Sequence, residues 1–214
     1  MLLSQYQIAV RRLLNDSQKN YWPDSELTDY INEARRKVAV DTLCVRKFQP
    51  AHLTTGQEQY QFTDAGIALP QGVQVVDIIN ITVIWGQTRY QLGYLPFTQL
   101  SAFFRVWKNY TRLPCAFSIY NAREFWVAYV PDQDYETEYD TAITPLNLAS
   151  DNDSDAIPAP YDEAVKYYAA FLARLKLQQY NEAKAQKQFF TDRITELGAM
   201  PPRRIPYVFD TDLF

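Results

Sequence analysis

Four aspartates near residue 155 resemble a metal-binding loop in residue type and spacing. Asp151, Asp153 and Asp155 alternate, and Asp162 stands at the twelfth position counted from Asp151. A calcium loop places its first three ligands and its last ligand in this way. However, Ala156 replaces the glycine that such a loop needs, and two following prolines stiffen it. We therefore predict a solvated acidic linker here, with a calcium site as the alternative.

No other set of residues fits a catalytic or cofactor site. His52 is the only histidine, which excludes a metal site with two histidines. We expect His52 in a loop, solvated or hydrogen-bonded. The glycines form neither a phosphate-binding loop nor a dinucleotide fingerprint, and no G-x-S-x-G elbow is present. Cys44 and Cys115 are expected to be small core residues. The sequence therefore predicts a protein that is not an enzyme and holds no cofactor or metal.

A basic run suggests a different kind of site. Arg35-Arg36-Lys37 lies close in sequence to Arg11-Arg12, and clustered cations can bind nucleic acid. The chain is acidic overall, with a net charge of −4, and Glu33 neighbours the run. We therefore favour a solvent-exposed or subunit-contacting helix face.

Composition narrows the class of protein further. The 214 residues include 16 Tyr, 12 Phe and 4 Trp, and such rings are often buried at subunit contacts as well as in cores. Residues 59–159 hold 5 basic and 11 acidic residues, so the acidic excess lies in the middle of the chain. We expect no signal peptide, no membrane span and no disulfide framework, because the required apolar runs and cysteine pattern are missing.

Helical periodicity is confined to the two ends of the sequence. Residues 4–15 predict a helix with a Ser4–Gln7 capping box. Asp24 to Leu43 predicts a second helix, capped by Asp24 or Ser25, with an apolar stripe of Leu27, Ile31, Ala34 and Val38. A stripe from Ala164 through Tyr168, Leu172 and Leu175 to Leu197 predicts two more helices with a break near Asn181.

The middle of the chain has the pattern of strands. Val73–Trp85 is rich in Val and Ile, and Gly86-Gln87 fits a two-residue hairpin turn. A second hairpin is expected around Asn121–Arg123. We predict an α+β fold: residues 1–48 and 160–200 form one helical bundle, residues 49–159 are an inserted antiparallel β-rich region, and residues 201–214 are an extended C-terminal arm.

Two segments are candidates for partner contacts. Residues 135–143 alternate strictly, which places Glu136, Glu138 and Asp140 on one solvated strand face. The C-terminal arm is short and rich in proline yet carries many apolar side chains. Ordering such a segment requires burial elsewhere, and we favour docking on another subunit over folding back on its own domain.

Several strings, in their order and spacing, resemble the head–tail adaptor proteins of tailed bacteriophages. They are LLND at 13–16, WPDSELTDYINEA at 22–34, LPQGVQVVDI at 69–78, VPDQDY at 130–135 and AVKYYAAFLA at 164–173. The resemblance implies a helical bundle interrupted by a β-rich insertion. It also implies a homo-oligomeric ring, typically of twelve subunits, which sits under the portal and extends the DNA channel.

The resemblance further implies a location and a set of partners. The protein would be made in the host cytoplasm and would act in the virion neck, as a platform for tail or nozzle proteins during assembly and genome ejection. DNA would pass only as cargo. The arm would bind the portal through Arg203, Arg204, Ile205, Tyr207, Phe209 and Phe214, and Glu136, Glu138 and Asp140 would face the channel. The alternative is a β-rich carbohydrate- or receptor-binding module that uses Trp85, Trp107 and Trp126 as stacking platforms.

Overall fold

A computed structural model describes residues 1–63, 67, 69–198 and 204–208. Its helices are α1 (Leu3–Leu14), α2 (Asp24–Thr42), α3 (Phe97–Phe103), α4 (Asp162–Lys176) and α5 (Tyr180–Leu197). Its strands are β1 (Arg46–Leu53), β2 (Gln59–Gln61), β3 (Val75–Trp85), β4 (Thr88–Gln91), β5 (Gly93–Tyr94), β6 (Ala116–Asn121), β7 (Glu124–Ala128) and β8 (Tyr135–Ile143). The predicted α+β class is confirmed.

The chain divides into two compact units. The helical unit comprises Met1–Val45, Pro70–Gln74 and Ile143–Pro201. The β unit comprises Arg46–Leu69, Val75–Ala142 and Pro202–Phe214. Each unit has its own apolar core.

The helical unit is built from α1, α2, α4 and α5, which pack against one another. The predicted stripe of α2 is buried in full: Leu27, Ile31, Ala34 and Val38 all lie in the core. The predicted stripe of α4 is only partly right, because its buried face is made mainly of alanines while Leu175 is exposed. Small side chains on this face let neighbouring helices approach closely.

The helix ends differ from the predicted caps. α1 begins one residue earlier than expected, and the Gln5 side chain, not a Ser4–Gln7 pair, accepts the Leu2 N–H at 3.0 Å. Pro23 precedes α2, and no side chain caps its first turn. The break between α4 and α5 falls at residues 177–179, slightly before the predicted position.

A buried ion pair corrects two of the sequence predictions. The side chains of Arg35 and Asp155 are 1% and 0% exposed. Arg35 donates to Asp155 Oδ1 through Nε at 2.9 Å and Nη2 at 2.6 Å, and the Tyr6 hydroxyl donates to Oδ2 at 2.5 Å. Arg35 is therefore not on a solvent face, and Asp155 is not part of a solvated linker. The pairing joins residues 120 positions apart, which a local pattern cannot show.

A second buried cation fixes the turn between α1 and α2. Arg11 Nη1 donates to Asp16 at 2.7 Å, and its Nη2 donates to the Trp22 carbonyl and to Asp24, each at 2.7 Å. The Asp16 carboxylate also accepts backbone N–H groups of residues 20–22. These contacts satisfy the charges that burial would otherwise leave unpaired.

The β unit contains two four-stranded sheets, with strand orders β1-β8-β3-β4 and β2-β7-β6-β5. One face of each sheet contributes to a shared core, which includes Ile81 of β3, Phe117 of β6 and Tyr139 of β8. The opposite face of the second sheet packs on a smaller cluster that contains Leu100 of α3 and Trp107. Both predicted hairpins are present.

Strand β1 was not predicted, because Pro50 lies in its middle. Proline cannot donate to a ladder, but β1 is an edge strand in which one side needs no donor. His52 also belongs to β1, opposite Glu136. The prediction of a loop around His52 is therefore wrong.

Candidate partner-binding surfaces

The C-terminal arm forms an additional edge on the second sheet. Within residues 204–208, which we call the arm root, the Ile205 carbonyl accepts the Tyr94 N–H at 2.7 Å, and the Tyr207 N–H donates to the Tyr94 carbonyl at 3.2 Å. Pro206 forms a parallel bridge with Tyr94. The arm root thus pairs with β5, the outermost strand of its sheet.

A glycine in β5 makes this close approach possible. A Cβ atom built on Gly93 would lie 2.6 Å from Tyr207 Cα and 2.8 Å from Tyr207 Cβ. These distances are shorter than real Cβ contacts, so any larger residue at position 93 would displace the arm root. The requirement for glycine at position 93 is a signal that pattern reading missed.

An ion pair holds the other end of the arm root. Arg204 Nη2 donates to Asp77 at 2.5 Å, and the guanidinium lies 4.4 Å from the centre of the Tyr94 ring. Burial raises the pKa of Asp77 above its ordinary value, more than the neighbouring Arg204 lowers it. The contact is therefore a partly desolvated, charge-assisted hydrogen bond, which is stronger than a neutral one.

Tyr207 completes the attachment through its ring. It packs edge-on against Phe104, with 5.4 Å between ring centres, and joins the apolar cluster of α3. Burial and the adjacent Cys115 raise the pKa of Tyr207 to about 12. Of the predicted portal-binding residues, Arg204, Ile205 and Tyr207 thus contact the β unit of their own chain, while Arg203, Phe209 and Phe214 lie outside the described residues.

The predicted acidic face lies on β8, and two of its three carboxylates are paired. Asp140 forms an ion pair with Arg46 of β1, and Glu138 forms one with Arg89 of β4 at 2.7 Å. Glu136 is exposed and stands opposite His52. The alternate residues Tyr135, Thr137, Tyr139 and Thr141 are buried, as the alternation predicted. Pairing reduces the net negative charge that this face presents.

The acidic segment around Asp153 and the two cysteine thiols are the groups to examine for metal binding and nucleophilic chemistry. Among residues 1–63, 67, 69–198 and 204–208, no cluster of three His, Cys, Asp or Glu side chains could hold a metal ion. Asp153 accepts the N–H groups of Ala149 and Ser150, which is a turn contact. Burial raises the pKa of both cysteine thiols, which disfavours the nucleophilic thiolate.

The three tryptophans do not form a set of exposed platforms. Trp107 is buried, and Trp126 packs edge-on against it with ring centres 5.8 Å apart. Only Trp85 of the three is largely exposed. The carbohydrate- or receptor-binding alternative therefore loses its main structural basis.

Comparison with known protein families supports the head–tail adaptor interpretation over the carbohydrate- or receptor-binding alternative. A family model described as SU10 adaptor protein matches residues 1–207. The chain belongs to the SU10 adaptor family. This is a bacteriophage head–tail adaptor family, so the resemblance in the sequence strings is confirmed. Among curated proteins, none matches the chain.

The match to the SU10 adaptor family extends over both units and over residues 204–207 of the arm root. The matched range ends at Tyr207, whose ring packs against Phe104. None of the helices in the described ranges is long and apolar enough to cross a membrane.

Proposed function

We propose that this SU10 adaptor is a structural, non-enzymatic component of the virion neck. It assembles as a homo-oligomeric ring of about twelve subunits under the portal, extends the DNA channel and provides the platform for tail or nozzle proteins. The observation that supports this most strongly is the family match over residues 1–207. Synthesis in the host cytoplasm belongs to the same proposal.

Exposed aromatic side chains support self-assembly. They occur on both units, where they are 79% exposed at Tyr21, 65% at Tyr180 and 61% at Phe48. Aromatic residues are enriched at subunit interfaces relative to the rest of the surface. We assign these residues to contacts between copies in the ring.

The arm is the proposed portal contact, through Arg203, Arg204, Ile205, Tyr207, Phe209 and Phe214. The arm root already holds three of these residues on β5. Portal binding through them requires that the portal replace those contacts, and residues 209–214 add two phenylalanines beyond the root. Aromatic anchors in a pocket are the usual source of binding energy at such contacts.

The β8 face is the proposed lining of the DNA path. Glu136 would repel the phosphate backbone during genome ejection, while Glu138 and Asp140 would neutralise Arg89 and Arg46 and so limit adhesion of the DNA to those two cations. A ring structure in which these carboxylates lie in subunit contacts or on the outer surface would overturn this assignment.

The arm assignment is tested by portal binding of matched variants. Removing residues 201–214 should abolish tight binding and leave the helical content unchanged. Phe209→Ala and Phe214→Ala should each weaken binding about 30-fold, the effect of losing an anchor worth about 2 kcal/mol. Thr211→Ala, in the same segment, is the control and should bind as the wild type does. Unchanged portal affinity on removal of residues 201–214 would refute the assignment.

A further inference from the structure

A pocket of about 360 Å³ lies in the β unit beside the arm root. It is formed by residues 103–107, Tyr110, Arg112 and Tyr129. Its walls are mainly aromatic, and its volume lies within the range of about 300–1,000 Å³ that is typical of ligand pockets. Nothing in the catalytic or metal chemistry considered above uses it.

The rim of this pocket exposes apolar surface. Val106 is 53% exposed and Tyr110 is 57% exposed, although Trp107 at the base is buried. Exposed apolar surface beside a pocket lined by aromatic side chains marks a site that can bind an apolar segment.

The arm root ends at one wall of the pocket. The Tyr207 ring lies 5.4 Å from that of Phe104, and the Phe104 ring lies 5.3 Å from that of Tyr129. Both Phe104 and Tyr129 line the pocket. The six residues after Val208 can span about 20 Å when extended, so they can reach the pocket from the arm root of the same chain.

The charges of the pocket and of this segment are complementary. The pocket lining contains Arg105 and Arg112 and no acidic residue, and Arg112 stacks on Tyr129 at 3.6 Å. Residues 209–214 read FDTDLF, with two aspartates, three large apolar side chains and no basic residue. The segment thus combines apolar anchors with the charge that the two arginines attract.

We propose that the pocket binds residues 209–214 of its own chain, with a phenylalanine or leucine side chain inside and Asp210 and Asp212 near Arg105 and Arg112. Attachment through the arm root raises the effective concentration of the segment at the pocket. In the subunit that has not met its partners, the outer part of the arm is therefore held on the β unit. The proposal concerns the isolated subunit and does not depend on portal binding.

Photocrosslinking of the full chain tests this site. p-Benzoylphenylalanine replaces Phe209, and a sample that mixes isotopically light and heavy chains is irradiated at low protein concentration. We expect crosslinks within single chains to residues 103–110 or Tyr129, identified by mass spectrometry. The same group at Phe189, an exposed position of α5, is the control and should give none to the pocket.

Charge reversal separates specific docking from chance proximity. Arg105→Glu/Arg112→Glu should lower the yield of pocket crosslinks about fivefold, since two favourable exposed pairs become repulsive. Adding Asp210→Lys/Asp212→Lys to that variant should restore the yield. Arg105→Glu alone, which leaves the stacked Arg112 in place, should give a smaller loss. Arg123→Glu, an exposed charge in the β6–β7 turn, should have no effect.

Three results would overturn the proposal. Crosslinks between light and heavy chains would make a second copy the occupant of the pocket. Crosslinks confined to other surfaces, or a pocket yield that charge reversal leaves unchanged, would exclude the charge-assisted site. The experiment contains no portal, so its failure is distinguishable from failure of the proposed function.

Discussion

Replacing Asp155 by asparagine should destabilise the helical unit more than any change to a neighbouring aspartate. The substitution keeps the shape of the side chain but removes its charge. Arg35 would then stay buried without a counterion, because its remaining partners are the neutral oxygens of Asn32 and Leu146. Asparagine keeps one acceptor oxygen for Arg35, so its NH2 group would replace the Oδ2 that accepts the Tyr6 hydroxyl. Tyr6 would thus lose the carboxylate that, together with burial, raises its pKa.

The expected magnitude follows from the burial of both side chains. Breaking a buried ion pair by removing one partner costs about 3–5 kcal/mol. With an m-value of about 2 kcal/mol per M urea, the midpoint of unfolding should fall by about 1.5–2.5 M. The double variant Arg35→Met/Asp155→Leu should lose less unfolding free energy than Asp155→Asn, because it leaves no uncompensated charge.

Circular dichroism at a helical wavelength during urea unfolding measures this effect, since α1, α2, α4 and α5 belong to the helical unit. Asp151→Asn is the matched control: it lies on the same segment, its residue is exposed, and it should change the stability by less than about 0.5 kcal/mol. Equal midpoints for Asp155→Asn and Asp151→Asn would refute the reasoning that the buried pair organises this unit.

Two further predictions follow from the arm root and from the first turn of α2. Gly93→Ala should displace the arm root, because the overlap with Tyr207 costs about 1–3 kcal/mol. Chymotrypsin should then cleave after Tyr207 about ten times faster than in the wild type. Thr88→Ala, on exposed β4, is the control and should leave the cleavage rate unchanged, and equal rates for the two variants would contradict the close packing. Hydrogen bonds from Lys19 and Arg11 hold the pKa of Asp24 below its ordinary value. This carboxylate therefore stabilises the fold above its unfolded-state pKa, and the stabilisation is lost as the pH falls through its lower folded-state pKa. Acidification from about pH 5 to about pH 3 should therefore destabilise the wild type more than Asp24→Asn, as thermal unfolding across that range would measure; parallel curves would contradict it.

Local sequence patterns predicted the elements whose formation depends on residues close together in the sequence. The apolar stripe of α2 and the Gly86-Gln87 turn depend on spacing and on one permissive residue, and both lie where expected. The burial of alternate residues in β8 follows from the period of two in the same way.

Long-range partners were not visible in the sequence. Arg35 sits in a basic run and Asp155 in an acidic one, so each looks solvated until the fold brings them together. Strand β1 was missed because Pro50 argues against a strand unless its position at a sheet edge is known.

The candidate partner-binding surface of the arm was also only partly predictable from local sequence patterns. The apolar content of residues 201–214 favoured docking on another subunit, whereas the arm root packs on β5 of its own chain. Its position there depends on Gly93 and Asp77, which are remote in sequence. The pocket is formed by residues 103–107, Tyr110, Arg112 and Tyr129, and Tyr129 reaches the others only through the packing of α3 on its sheet.

Electron cryo-microscopy of the purified protein mixed with its purified portal would show whether the protein assembles as a ring on the portal. We predict a closed ring of about twelve copies joined to the portal along a common axis, with the arm in contact with the portal. A protein that stays monomeric and leaves the portal unoccupied would contradict the account.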